Sequence, residues 1–144
     1  MPTLEEKLKD SSHAGPYLAP RDSRVLAGAV RKSGLKLVRV DLKGVHDKPG
    51  LLNAIAQALK FPDWFGGNWD ALEDCLTDLS WDKARGYVVL LEHCAELARR
   101  APQDIAAAIE VFESVAEYWD EQDKPFWTLF GGVETPVAGV TRLA

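Results

Sequence analysis

The run Tyr87-Val-Val-Leu-Leu91 constrains the fold more than any other stretch of this chain. An uninterrupted apolar segment of strand length reads as a central strand buried on both faces. Leu37-Val-Arg-Val-Asp-Leu42 alternates apolar and polar residues, as a half-buried strand does. Phe126-Trp-Thr-Leu-Phe130 reads as a third strand. Helical patterns fill the intervals. Asp47 to Lys60 places Leu51, Leu52, Ile55, Ala58 and Leu59 at helical spacing, and a second helix is expected from Trp69 to about Leu79. After the central strand comes a short helix from about Cys94 to Arg100. A longer one opens at Pro102, with Ile105, Ile109, Phe112, Ala116 and Trp119 along one face. Strands alternating with helices imply parallel pairing through right-handed crossovers. The expected class is therefore α/β: a small three-stranded parallel sheet packed with helices, plus an N-terminal helical extension.

That compact unit spans 35–131. Residues 1–34 form an extension, partly helical. Thr3-Leu-Glu-Glu6 fits a capping box, Pro16 and Pro20 break the chain, and Asp22 caps a helix through Val25, Leu26, Ala29 and Val30 that stops at Gly34. This extension is expected to pack on the main domain and to carry no chemistry. Residues 132–144 mix Gly, Pro and Thr and are expected to form a loose tail.

The formal charge of the 144-residue chain is −5. A general nucleic-acid binder needs a basic surface to displace counterions, so that class is disfavoured, as is adhesion to an anionic membrane. A cationic partner fits the charge. Cys75 and Cys94 form no C-x-x-C pair, and with His13, His46 and His93 they complete no zinc pattern. Reduced cysteines suit a cytoplasmic protein. The first ten residues are charged and lack the apolar core of a signal peptide, and no run is long enough to span a membrane. No cofactor, metal or catalytic residue is expected, and a monomer is the simplest reading.

Charge is most polarised between Phe61 and Asp82. The window holds Asp63, Asp70, Glu73, Asp74, Asp78 and Asp82, with no Lys or Arg. On a helix starting at Trp69 and capped by Asn68, the residues Ala71, Leu72, Cys75, Leu76 and Leu79 form the buried stripe. Asp70, Glu73, Asp74, Thr77 and Asp78 then fall mainly on the other face. Asp70 is favoured by the helix dipole. The pair Asp74 and Asp78, one turn apart, costs a few tenths of a kcal/mol. Acidic helix faces are usually just solvated. Here the preceding loop is rich in aromatic side chains, which are not exposed without reason. Phe65 and Trp69 are expected to pack inward, leaving Trp64 to face a partner.

The segment Phe61-Pro-Asp-Trp-Phe-Gly-Gly-Asn-Trp-Asp-Ala-Leu-Glu-Asp-Cys-Leu-Thr-Asp78 resembles the signature loop and helix of the barstar family, intracellular inhibitors of barnase-type ribonucleases. The resemblance extends over about Leu37 to Phe130. It implies that this loop and helix enter a ribonuclease active site. Asp74 would be the main carboxylate, standing where an RNA phosphate sits, and Asp70 a second anionic contact. Trp64 would be the aromatic lid in place of the family's tyrosine, with Asn68 and Thr77 as supporting polar contacts. Gly66 and Glu73 complete the expected contact set. The implied partner is a basic, extracellular-type, barnase-like ribonuclease, with no direct contact to nucleic acid or membrane. Complementary charge speeds encounter, and desolvated charge pairs dominate such interfaces. The chain departs from the family at Glu73, where a tryptophan is usual, and at Ser114, which aligns with a contact glutamate and has Glu113 beside it.

Two other classes compete. One is a binding or immunity module on the same fold for a different basic toxin or regulatory partner, motivated by Glu73 and Ser114. The other is an enzyme. Gly66-Gly67 before a helix suggests phosphate binding, but the Gly-Lys-Ser/Thr ending is missing and Asp63, Asp70 and Asp74 surround it. His93 beside Cys94 has no obvious third partner, and Asp70 with Asp74 has no cleft to serve.

Overall fold

A computed structural model of the chain describes residues 2–134 and 139–143. Strands β1 (Pro16–Leu18), β2 (Lys36–Asp41), β3 (Tyr87–Glu92) and β4 (Phe126–Phe130) form one sheet in the order β1-β4-β3-β2, and every pairing is parallel. The helices are α1 (Leu4–Leu8), α2 (Ser23–Ser33), α3 (Lys48–Ala58), α4 (Trp69–Asp78), α5 (Ala95–Arg100) and α6 (Pro102–Asp120).

The α/β class and parallel sheet agree with the sequence pattern, but the strand count does not: there are four strands, not three. The extra strand, β1, comes from the N-terminal segment. Proline lacks an N–H and is tolerated at the first residue of an edge strand, which is where Pro16 lies. Pro16 pairs with Thr128 and Leu18 with Phe130, so β1 is specified by a distant partner rather than by its own three residues.

Each face of the sheet has its own core. Val38, Val40, Val89, Leu91 and Phe130 point toward α3, α4, α5 and α6. Val88, Leu90, Trp127 and Leu129 point the other way, onto Leu8 of α1 and onto Leu26, Ala29 and Val30 of α2. This alternation along β3 explains its unbroken apolar run. Burying each such side chain stabilises the fold by about 1.5–3 kcal/mol. The N-terminal segment is thus the second helical layer. The Trp127 indole N–H donates to the Leu8 carbonyl at 2.9 Å and ties α1 to the sheet.

Local signals fixed several boundaries. Thr3 accepts from the Glu6 N–H, and the Asp22 carboxylate accepts from the Arg24 and Val25 N–H groups. Gly34 ends α2 in the left-handed region at φ 78°, where glycine carries no Cβ penalty. The expectation of a loose tail is corrected for its described residues. Val133, Val140 and Leu143 are buried, and Arg142 bridges to Leu18. Arg142 also donates to the Ala19 carbonyl at 2.6 Å. Apolar anchors spaced through the Gly- and Pro-rich sequence outweigh its composition. Residues 135–138, part of the same expectation, lie outside the described set.

Candidate partner-binding surface

Helix α4 is positioned by its buried stripe. Leu72, Cys75 and Leu76 are buried against the α6 side of the core. Its start is set by Asn68, whose Oδ1 accepts from the Ala71 N–H at 2.7 Å. Its end is set by Leu79, which takes the left-handed conformation at φ 47° while its side chain is buried. At the same end, the Trp119 indole N–H donates to the Leu76 carbonyl at 2.8 Å.

With that stripe inward, Asp70, Asp74 and Asp78 stand exposed along the opposite side, one turn apart. Glu73 and Thr77 are half-buried at its flank. Among the described residues, no Lys, Arg or His lies within ion-pair distance of Asp63, Asp70, Glu73, Asp74 or Asp78. Asp82 differs, since it pairs with Lys36 of β2. The Thr77 hydroxyl donates to the Glu73 carbonyl at 2.8 Å. Its proton is committed to the helix, and its lone pairs remain for a donor from outside.

The loop before α4 presents Trp64, which is 57% exposed. Phe65 and Trp69, expected to pack inward, are each half-buried against the core. Phe65 meets Phe61 edge-on at 5.0 Å, and Phe61 in turn meets Trp81 at 6.2 Å. Gly66 and Gly67 are exposed, and Gly67 sits at φ 71°, which favours glycine. The structure thus places Trp64, Gly66, Asn68, Asp70, Glu73, Asp74 and Thr77 on one continuous loop and helix.

Two neighbours of this surface escaped the sequence reading. Lys48, in the first turn of α3, lies 5.2 Å from the centre of the Trp69 ring. No local pattern links residues so far apart in the chain. Trp81 is 36% exposed and donates its indole N–H to the Leu59 carbonyl at 3.0 Å. Its place inside the acidic window, next to Asp82, was the available signal. On α6, Ser114 is exposed, while Glu113 lines a cleft with Ser11 and Ser12 of the N-terminal segment.

The features that had suggested catalysis do not assemble. His93 Nδ1 is 2.8 Å from Asp41 Oδ1, at the ends of β3 and β2. Cys94 is buried and its thiol donates to the Leu91 carbonyl at 3.1 Å. Burial pushes that thiol up to about 12, so it is not a thiolate near neutral pH. Among the described residues, no group of three or more His, Cys, Asp or Glu is arranged to hold a metal ion. No helix among them is long and apolar enough to cross a membrane.

Compared with known proteins, no curated sequence matches the chain. Residues 35–131 match the family model described as Barstar (barnase inhibitor). That segment holds β2, β3, β4, the aromatic loop and α3 through α6, and spans well over half of the chain. The chain therefore belongs to the barstar family, a family of inhibitors rather than of enzymes.

Proposed function

We propose that this protein inhibits a barnase-type ribonuclease by inserting α4 and its preceding loop into the enzyme's cationic cleft. The observation that carries the reading is the exposed column of Asp70 and Asp74, without counter-ions, beside the exposed ring of Trp64. A cleft built to hold RNA phosphates is rich in Lys, Arg and His, and carboxylates held on a helix occupy the same positions. In this reading Asp74 is the central anion and Asp70 the second. Trp64 covers the cleft rim, Gly66 lets the loop approach closely, and Asn68, Glu73 and Thr77 fill the periphery. The protein acts as a monomer in the cytoplasm, where it protects the cell from its own or a neighbour's ribonuclease.

The test is inhibition of a barnase-type ribonuclease by the wild type and by Asp74→Ala at two salt concentrations. Strong inhibition that weakens with the substitution and with salt supports the reading. Equal potency of the two proteins sinks it. A second reading, an immunity module for another basic toxin, is favoured by Glu73 in place of the family's tryptophan. It predicts no ribonuclease inhibition but binding of a different basic toxin that Asp74→Ala still weakens.

A further inference from the structure

A cavity of about 370 Å³ opens at the carboxyl ends of β1, β4 and β3. Its position follows from the topology. The chain leaving β1 enters α2 on one face of the sheet, whereas the chains leaving β2 and β3 enter helices on the other. Ligands of open parallel sheets bind in the crevice where successive connections diverge in this way. Here the crevice lies over the end of β4, between the β1–α2 turn at Pro20 and the end of β3 at Glu92. Leu26 and Leu90 wall it from the α2 face, and Val133, which belongs to the core on the other face, closes it at the sheet's end.

Two arginines in it share one carboxylate. Arg21 and Arg142 both reach the Glu134 carboxylate, at 3.5 and 3.9 Å. Arg142 is held in place by the Ala19 and Val133 carbonyls. The Glu134 side chain is 77% exposed and, among the described residues, has no such brace. The other ionisable side chains facing the cavity are already engaged, Glu92 by Arg39 and His93 by Asp41. We propose that this cavity binds a small organic anion, a carboxylate or phosphate monoester with an apolar body. Its acidic group takes the place of the Glu134 carboxylate between the two guanidiniums, and its apolar part lies on Leu26, Leu90 and Val133. Arg21 comes from the N-terminal segment and Arg142 from the C-terminal one, both outside the matched residues 35–131. The site is thus assembled by this chain's own additions. It lies on the opposite face of the sheet from α4, so it stands apart from the inhibitory reading.

The test uses the full chain and three probes: inorganic phosphate, butyrate and phenyl phosphate. Saturable amide shifts at Ser23, Gly131 and Gly132, with a rise in melting temperature, are expected with phenyl phosphate and butyrate and weaker with phosphate alone. Arg21→Ala lowers the affinity by about tenfold, the usual weight of a charge-assisted contact. Glu134→Gln, which removes the internal competitor, raises it. Arg142→Ala is avoided because that residue also braces the fold. Absence of saturable shifts with all three probes overturns the proposal. So does binding that both variants leave unchanged, or shifts confined to α4. Equal response to phosphate and phenyl phosphate overturns the apolar subsite.

Discussion

Trp119 of α6 donates its indole N–H to the carbonyl of Leu76 in the last turn of α4, across 2.8 Å. A helix leaves its final carbonyls without intrahelical partners. One of them in the acidic helix is satisfied by a side chain 43 positions away. The ring that does so is itself part of the core beneath the sheet. Trp119→Phe keeps most of that apolar surface but leaves the buried carbonyl unpaired. The expected loss is about 1–3 kcal/mol in urea unfolding. Hydrogen exchange is expected to quicken most at the C-terminal end of α4.

Asp74→Ala separates binding from stability. Asp70, Asp74 and Asp78 repel one another along the helix, each neighbouring pair by a few tenths of a kcal/mol. Removing the middle charge is expected to leave the unfolding midpoint unchanged or slightly raised. Ribonuclease inhibition is expected to weaken by at least about 2 kcal/mol, as for a central interface anchor. Unfolding curves and inhibition titrations on the same preparations check both directions.

Leu8→Ala tests whether the N-terminal segment is part of the fold. Leu8 is fully buried on the second face of the sheet, among Trp127, Leu129 and α2. A cavity there is expected to cost about 2–5 kcal/mol in chemical denaturation. A loss near zero is the outcome for a segment that is merely appended.

Burial raises the thiols of Cys75 and Cys94 from 9.0 to about 11 and about 12. For Cys75 the neighbouring Asp74 and Asp78 charges add to the burial. Both thiols are therefore protonated in the folded protein when unfolded cysteines have begun to ionise. The fold keeps its full thiol contribution below about pH 9 and loses it as pH rises toward 11–12. A thiol reagent at pH 8 is expected to label neither cysteine until denaturant is added, and the urea midpoint is expected to fall above pH 9.

Asp41 is held below the usual carboxylate value, first by the Lys43 N–H and then by His93. Its lowered value makes the contribution to stability present at neutral pH and lost as pH falls through the folded-state value. A carboxyl NMR titration is expected to give a midpoint below 3.8, and His93→Ala is expected to raise it only partway. A midpoint unchanged by that substitution means the imidazole contact is absent in solution.

What the sequence made legible was local or periodic. Asn68 as the cap of α4 needs only its neighbours, and the aspartate column needs only helical spacing. The end of α4 near Leu79 follows from the last apolar residue of the helical stripe; what the sequence did not show is that Leu79 itself, with no glycine there, takes the left-handed turn while its side chain is buried. Strand β1 was hidden because its pairing partner stands at Thr128, and Lys48 because its ring contact is a tertiary one. The tail misled for a similar reason. Val140 and Leu143 count for little in composition but find buried sites.

The edge position of β1 also orders events during synthesis. Pro16 to Leu18 are made before their hydrogen-bonding partner β4, which follows β2, β3 and every described helix. Leu8 likewise waits for Trp127, 119 positions downstream. Contacts of such sequence separation form slowly, because the chain must first close a long loop. Until then the nascent β1 carries unmatched backbone groups, and the apolar side of α2 has no sheet to cover. Pairing of β1 with β4 is therefore a late step, completed only after the rest of the sheet has been made.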